Sequence, residues 1–374
     1  MQAKKQNVLI DGSRLVIEAC ARAGAEAFVA YPISPANLLY RYARERMPIA
    51  MAATDEITTL QWMSGFSATG KFPITATAYP GYALMVESLG MAFMMELPMV
   101  VVLVQRLGPA TGSATTGAQG DLISVRGTMS GAFILPTFCP SNFEDCWTLS
   151  ARAVEVAIKL RTPVVLLTSK EMMMTLRSFD LSTLPSIERV PWKRYEGSET
   201  YLPYKPGEGM VPPFVPVGDK KYRVRLNAST HDASGLIRKD TPDAMANTNR
   251  LGEKVERRVG EFAFYDLDEG DGKSVLIVSY DVTAEAARGA VAVLRSKGID
   301  VASLVLKTLL PIPPIIYDII DRYEHVVISE ENRGGQLREL LFGARTPKNV
   351  VGVNAIGHMI SPTQIIKEVE SCRP

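Results

Sequence analysis

Cysteine is scarce: four stand in 374 residues, at positions 20, 139, 146 and 372, and none belongs to a C-x-x-C pair. An iron–sulfur cluster usually takes four thiolates with tight local spacing, so none is expected on this chain. So few cysteines also suit a reducing compartment. The three histidines, His231, His325 and His358, have no partner at i,i+4 and no metal-ligand spacing, so each reads as structural and no metal site is expected. Neither sign of charge dominates: 41 Lys and Arg face 40 Asp and Glu, a net charge of +1. The broad cationic face of a nucleic-acid binder is therefore missing, and aromatics at 7% add no base-stacking signal. The longest apolar stretches are broken by Pro, Glu or Arg within the roughly 20 residues that a membrane span requires. The apolar patch at 8–10 is too short for the core of a signal peptide. These absences lead us to expect a cytoplasmic protein with no membrane span and no nucleic-acid partner.

What is present is the balance of a soluble globular protein, 47% hydrophobic and 22% charged, long enough for two or three domains. Between residues 11 and 184 helix and strand patterns alternate. Asp11 can cap a helix whose apolar face is Val16, Ala19, Cys20 and Ala23, with Gly24 as its stop. A buried strand at 27–31 ends at Pro32, and a helix is expected at 36–46. A strand at 73–77 and a helix at 85–95 follow. The continuous apolar run at 99–104 reads as the centre of a parallel sheet. A helix at 145–160 and a strand at 164–167 close a βαβ series, which implies a doubly wound α/β fold. Seven prolines between 185 and 216 then mark an irregular arm. A charged helix at 243–260 precedes a second α/β block, with strands at 274–278, 300–305 and 325–328 and helices at 283–297 and 315–323. The expected divisions are 1–184, 185–262 and 263–374.

Three segments of the first block carry candidate chemistry. Tyr31-Pro32-Ile33-Ser34-Pro35 turns sharply at a strand end. Asp55-Glu56-Ile57 opens a segment with small residues at helical spacing. Gln105-Arg106-Leu107-Gly108-Pro109-Ala110-Thr111-Gly112 is a charged loop directly after the apolar strand. Ligands of open α/β sheets bind beyond the carboxyl ends of the strands, where the first and last of these segments lie.

In this order and spacing the segments resemble the α subunit of the thiamine diphosphate-dependent 2-oxoacid:ferredoxin oxidoreductases, the 2-oxoglutarate type in particular. The resemblance continues through Thr77-Ala78-Tyr79-Pro80-Gly81, Gln119-Gly120-Asp121-Leu122, Arg161-Thr162-Pro163-Val164 and Thr230-His231-Asp232. It ends with Lys307-Thr308-Leu309-Leu310-Pro311-Ile312-Pro313 and Glu331-Asn332-Arg333-Gly334-Gly335-Gln336, and so covers nearly the whole chain. It implies a pyrimidine-binding thiamine diphosphate domain followed by a transketolase C-terminal-like domain. It further implies oxidative decarboxylation of a 2-oxoacid to an acyl-coenzyme A, with electrons passed to ferredoxin or a similar acceptor. Glu56 aligns with the carboxylic acid that hydrogen-bonds the aminopyrimidine ring and favours its imino form, which takes the proton from the thiazolium. Tyr31 and Pro32 align beside the cofactor. Ser34, Arg106, Thr111 and Tyr79 align around the substrate, where the planar fork of Arg106 suits a carboxylate. A separate β subunit is implied to bind the diphosphate through Mg²⁺ and to carry a [4Fe–4S] cluster, with γ and ferredoxin-like subunits completing the complex.

Departures from that pattern fall near the expected pocket. Ser34 stands where relatives have threonine, Ala78-Tyr79 where they have Ser-Gly, and Ala36-Asn37 where a serine-containing pair is common. Tyr79 either faces the subunit interface or lines the pocket, where it fills space or stacks on an aromatic 2-oxoacid such as an arylglyoxylate. The alternatives kept open are an arylglyoxylate oxidoreductase subunit, a non-catalytic scaffold subunit and a non-oxidative decarboxylase. Gly270-Asp271-Gly272 matches the start of the diphosphate–Mg²⁺ motif, but no Asn pair follows, so it reads as a surface turn.

Overall fold

The computed structural model describes residues 6–372. In chain order its first elements are β1 (Asn7–Ile10), α1 (Gly12–Ala23), β2 (Ala25–Ala30), α2 (Asn37–Arg46), β3 (Ile49–Ala52), α3 (Glu56–Ala68), β4 (Phe72–Thr77), α4 (Tyr79–Met94) and β5 (Met99–Gln105). There follow α5 (Leu122–Arg126), β6 (Thr137–Phe138), α6 (Phe143–Leu160), β7 (Pro163–Ser169), α7 (Lys170–Met174), β8 (Arg177–Asp180) and α8 (Pro242–Glu256). The last part holds β9 (Tyr265–Asp268), β10 (Val275–Ser279), α9 (Thr283–Ser296), β11 (Ala302–Leu306), β12 (Thr308–Leu310), α10 (Pro314–Ile320), β13 (His325–Glu330), α11 (Gln336–Phe342), β14 (Val350–Asn354) and α12 (Pro362–Ser371).

A seven-stranded sheet runs in the order β12-β6-β7-β5-β4-β2-β3, and its strands are parallel except for β12. Its central strands are buried along their whole length because helices cover both faces, which is why β5 reads Met-Val-Val-Val-Leu-Val. On one face α1, α2 and α6 pack Leu15, Leu39 and Val154 onto Phe28, Val102 and Val164. On the other, α3 and α4 pack Leu60, Tyr82 and Met85 onto Val101 and Leu103. That second layer runs without a break into the near face of a five-stranded sheet, β14-β13-β10-β11-β9, through Val278, Leu304 and Ile316. The far face of the second sheet is closed by α9 and α12, with Leu294, Ile365 and Val369 against Val275 and Ile277.

The expected doubly wound architecture is therefore present, with corrections to its bounds. The helix expected at 85–95 starts six residues earlier, at Tyr79, with Pro80 in its first turn. Thr308–Leu310 leaves the second block and pairs antiparallel with β6 at the edge of the first sheet. Lys307 anchors this crossing: its Nζ lies 2.7 Å from both Asp145 Oδ1 and Asp266 Oδ1, and its carbonyl accepts from Cys139 N at 2.7 Å. The residues at 8–10, too short for a signal, pair with β8 as β1.

Two polar locks hold the layers together. In the first, Glu96 is fully buried and its carboxylate meets Arg250 and Lys254 of α8, with Lys254 Nζ 2.6 Å from Oε2. Arg161 donates to the Glu96 carbonyl and to the carbonyls of Pro203, Pro212 and Pro213, each at 3.3 Å, so the same knot pins the proline-rich arm.

The second lock joins the sheets. In the five-stranded sheet β10 is followed to one side by β11 and on the other side lies β13, so the crevice between the ends of β10 and β13 is its topological switch point. Gln119 bridges it. Its side chain donates to the Tyr280 carbonyl at 2.8 Å and accepts from Glu331 N at 2.7 Å. Its backbone N donates to the Glu331 carbonyl at 2.8 Å, and its own carbonyl accepts from Asn332 Nδ2 at 3.1 Å. Gln336 then clasps Gly120 and Ile123. The Glu331–Gln336 motif is thus an interface within the chain. Burial pushes the Glu331 carboxyl up to about 7; its bond from Ile360 N, at 2.9 Å, opposes that shift and the Glu171 charge adds to it.

Burial alone would raise the Glu96 carboxyl, but the Lys254 and Arg250 charges outweigh it and hold the group well below its ordinary value of 4.5. Its stabilisation is therefore present above pH 4.5 and lost as the pH falls below that. Glu96→Gln leaves two buried cations without their partner. We expect a loss of about 3–5 kcal/mol in urea unfolding at neutral pH, with the deficit relative to wild type shrinking in acid.

Glu331 carries the opposite sign. Its carboxyl is raised in the folded state, so the stability it contributes is full below pH 4.5 and is lost as the pH rises through about 7. Glu331→Gln retains an oxygen for Ile360 N and removes the titration. The Tm advantage of the variant should widen from pH 5 to pH 8; a constant difference would show that another group titrates.

Candidate active site

The first sheet has its own switch point. The chain leaves β2 for β3 on one side, then returns through α3 to β4 on the other. The crevice beyond the ends of β2 and β4 is therefore where an open α/β sheet receives a ligand. Tyr31, Pro32 and Ser34 follow β2, Glu56 opens α3, Thr77 ends β4 and Tyr79 opens α4. Arg106 follows β5, one strand further along.

Glu56 is placed by the cap before it. The Asp55 carboxylate accepts from Thr58 N at 2.6 Å and starts the helix there, so Glu56 is its first residue. Glu56 is only 5% exposed. Burial raises its carboxyl above the ordinary value, opposed by its own backbone amide and aided by the Asp55 charge. Among the described residues no cation is paired with it. Its carboxyl lies against the bare Cα of Gly81: a Cβ there would overlap Glu56 Oε1 and Thr77 Oγ1, and would come within 2.8 Å of Glu56 Cδ.

Arg106 is 7% exposed and reaches back to the first segment, donating from Nη1 to the Ser34 carbonyl at 2.6 Å. Its Nε is buried with no partner. Asp121, 6% exposed, likewise has one oxygen without a partner. Burial pushes the Asp121 carboxyl up to about 7, and the Arg106 charge pulls against that. Ser34 Oγ accepts from Asn37 Nδ2 at 3.0 Å.

The fold thus joins Ser34 to Arg106, and Glu56 to the first turn of α4. Tyr31 and Pro32 are exposed beside them, and Tyr79 is half-buried at the start of that turn. Thr111 lies exposed on the turn closed by the Leu107–Ser113 bridge. Sequence reasoning missed Thr77, Gly81 and Asp121 as site residues. All three stand inside quoted motifs, so the only available signal was the motif itself; their contacts depend on elements distant in sequence. Gly270-Asp271-Gly272 lies on the turn before β10, where Asp271 N donates to Asp300 Oδ1 at 2.9 Å. A separate cavity of about 710 Å³, between α1, α2 and residues 181–186, contains none of the singled-out residues.

Residues 18–250 match the family described as pyruvate flavodoxin/ferredoxin oxidoreductase, thiamine diphosphate-binding, and the chain belongs to that family. Among curated relatives, the 2-oxoglutarate synthase subunit KorA of Methanocaldococcus jannaschii is 28% identical over 354 residues, 93% of this chain and 94% of that protein. The ketoisovalerate oxidoreductase subunit VorB of Methanothermobacter thermautotrophicus is 26% identical over 373 residues, 96% of each chain. Among solved structures, the 2-oxoglutarate:ferredoxin oxidoreductase from Magnetococcus marinus, with 2-oxoglutarate, coenzyme A and succinyl-CoA bound, has a TM-score of 0.91 at 26% identity, covering 98% of this chain. This chain spans 65% of the length of that one. A split-gene transketolase, at 14% identity and a TM-score of 0.52, shares the fold alone.

Proposed function

We propose that this chain is the α subunit of a 2-oxoacid:acceptor oxidoreductase and supplies the half of the active site that grips the aminopyrimidine ring of thiamine diphosphate. The observation that carries the reading is Glu56, a buried carboxyl with no cation, held at the switch point by a glycine and one strand away from a buried arginine with an unused donor. Burial favours the protonated form of such a carboxyl, and that form can donate a hydrogen bond to a ring nitrogen. The Gly81 contact and the missing counter-ion fit that group. When bound, the cofactor supplies the carbanion chemistry of decarboxylation.

In this reading Tyr31 and Pro32 flank the cofactor, while Ser34, Arg106 and Thr111 receive the substrate carboxylate. The Ser34 carbonyl orients the guanidinium, and the orphan Nε is the donor that a carboxylate would satisfy. Overall the 2-oxoacid loses CO₂, coenzyme A takes the acyl group, and two electrons pass to ferredoxin or a similar acceptor. A β subunit holds Mg²⁺, the diphosphate and a [4Fe–4S] cluster, with γ and ferredoxin-like subunits beyond it, in the cytoplasm. The exposed apolar side chains of Tyr31, Ile57, Trp62 and Leu84, on the segments around Glu56, offer a partner a surface to cover. Along the chain, 1–184 carries the cofactor half, 185–262 is the arm and 263–374 is the transketolase-like block. Among the described residues no helix is long and apolar enough to cross a membrane.

We expect Glu56→Gln to leave the assembled complex folded and to lower turnover by about 10²–10⁴. Undiminished turnover would reject the assignment. An ordinary metabolic 2-oxoacid is the first choice of substrate. An aromatic 2-oxoacid, stacked on a Tyr79 that lines the pocket, is the second reading. A panel of small, dicarboxylic and aromatic 2-oxoacids, run on wild type and Tyr79→Gly, decides between them. A change in ranking puts Tyr79 in the pocket, and an unchanged ranking turns it away.

A further inference from the structure

Glycine at position 81 has no backbone reason to be there. It is the third residue of α4, its conformation is helical, and it lies outside the positive-φ residues of the chain. Glycine is also a poorer helix former than alanine. Two other glycines in the same helix pair, Gly65 of α3 and Gly90 of α4, have nothing within 4 Å of where a Cβ would stand. Gly81 differs because two side chains occupy that space, Glu56 from α3 and Thr77 from β4. Thr77 is fully buried at the end of a central strand, with its hydroxyl donating to the Ala78 carbonyl at 3.2 Å. Of the two neighbours, Glu56 has the longer and more flexible side chain, so a methyl group at 81 would displace the carboxyl first.

We propose that Gly81 is a positioning residue: the space left by its missing side chain, walled by Thr77, fixes the Glu56 carboxyl in the crevice between β2 and β4. The proposal rests on the reading of Glu56 given above. A helix whose third residue lacks a Cβ lets the acid approach the backbone there. It then stays buried, with its neutral form favoured, and it stays in one place without a hydrogen-bonding side chain to hold it. A small displacement of a catalytic group far exceeds in effect the loss of packing that causes it.

The test uses the complete complex, with Gly81→Ala, Glu56→Ala and the double variant. Turnover, KM for the 2-oxoacid, Kd for thiamine diphosphate and Tm are measured for each. Gly81→Ala should lower turnover by about 10²-fold and weaken cofactor binding, with KM for the 2-oxoacid unchanged. Glu56→Ala removes the longer of the two side chains that the new methyl would strike and leaves the Thr77 hydroxyl in place. In that background the effect of Gly81→Ala on turnover and cofactor Kd should shrink to less than about tenfold, what remains being the Thr77 contact, a non-additivity expected of residues in contact. Wild-type cofactor affinity and turnover in Gly81→Ala overturn the proposal. So does an equal loss in the Glu56→Ala background, which would make the effect structural. Full activity of Glu56→Ala alone overturns the reading of Glu56, and the proposal with it. If Gly81→Ala does not fold, the same set is measured with Thr77→Ala in every chain, which removes the second overlap, and the same outcomes decide.

Discussion

A carboxyl group buried without a cation is unfavourable, and it survives only where its neighbours leave no better position. The first sheet is built around that constraint at Glu56. The Asp55 cap decides where α3 begins and so aims the next side chain inward. The missing side chain of Gly81 in the first turn of α4 leaves room for the acid. The crossover from β3 to β4 brings these two helix starts to the same crevice. Each element answers a local demand, and their common result is an acid that holds its proton more firmly than an exposed carboxyl does.

The chain contains two switch points, and a side chain of its own bridges the second. At the first, polar groups are left without partners: Arg106 Nε and one Asp121 oxygen are buried and unsatisfied. At the second, Gln119 bonds Tyr280, Glu331 and Asn332 across the crevice, and the hydroxyls of Ser279 and Ser329 are the atoms left without partners. The loop from Gln119 to Asp121 spans both situations, with one end locked into the second sheet and the other beside Arg106. The second sheet is thus a support whose binding crevice is bridged from within.

The sequence showed most of the fold because the central strands are continuous apolar runs and their helices carry capping signals. Asp11, Gly24 and the run at 99–104 each reported a local fact. What stayed hidden was set by distant partners. The short strands β3, β6 and β12 have no pattern of their own and exist because a neighbouring strand is there to pair with. The segment after Ile328 gave the motif at 331–336 but no helix or strand, although it forms α11, β14 and α12. At the site, Glu56 and Arg106 stood out through their motifs and the structure buries both. Asp121 and Gly81 did not, because an unpaired oxygen and a missing Cβ have meaning only once the chain is folded. His231 is buried, with its ring tilted against Tyr204, Nδ1 bonded to the Ser229 carbonyl and Nε2 without a partner.

The crossing of Thr308–Leu310 into the first sheet also bears on biosynthesis. β6 is the outer strand of the parallel series, and its open side is covered only by β12. About 170 residues separate the two in sequence. At ribosomal rates of about 5–20 residues per second, the edge waits roughly 10–35 s between emergence and closure. Unpaired edges invite pairing with other chains. β6 answers this by being only two residues long, Thr137–Phe138, too short to template a foreign strand during that interval. The brevity that hid it in the sequence protects the nascent chain.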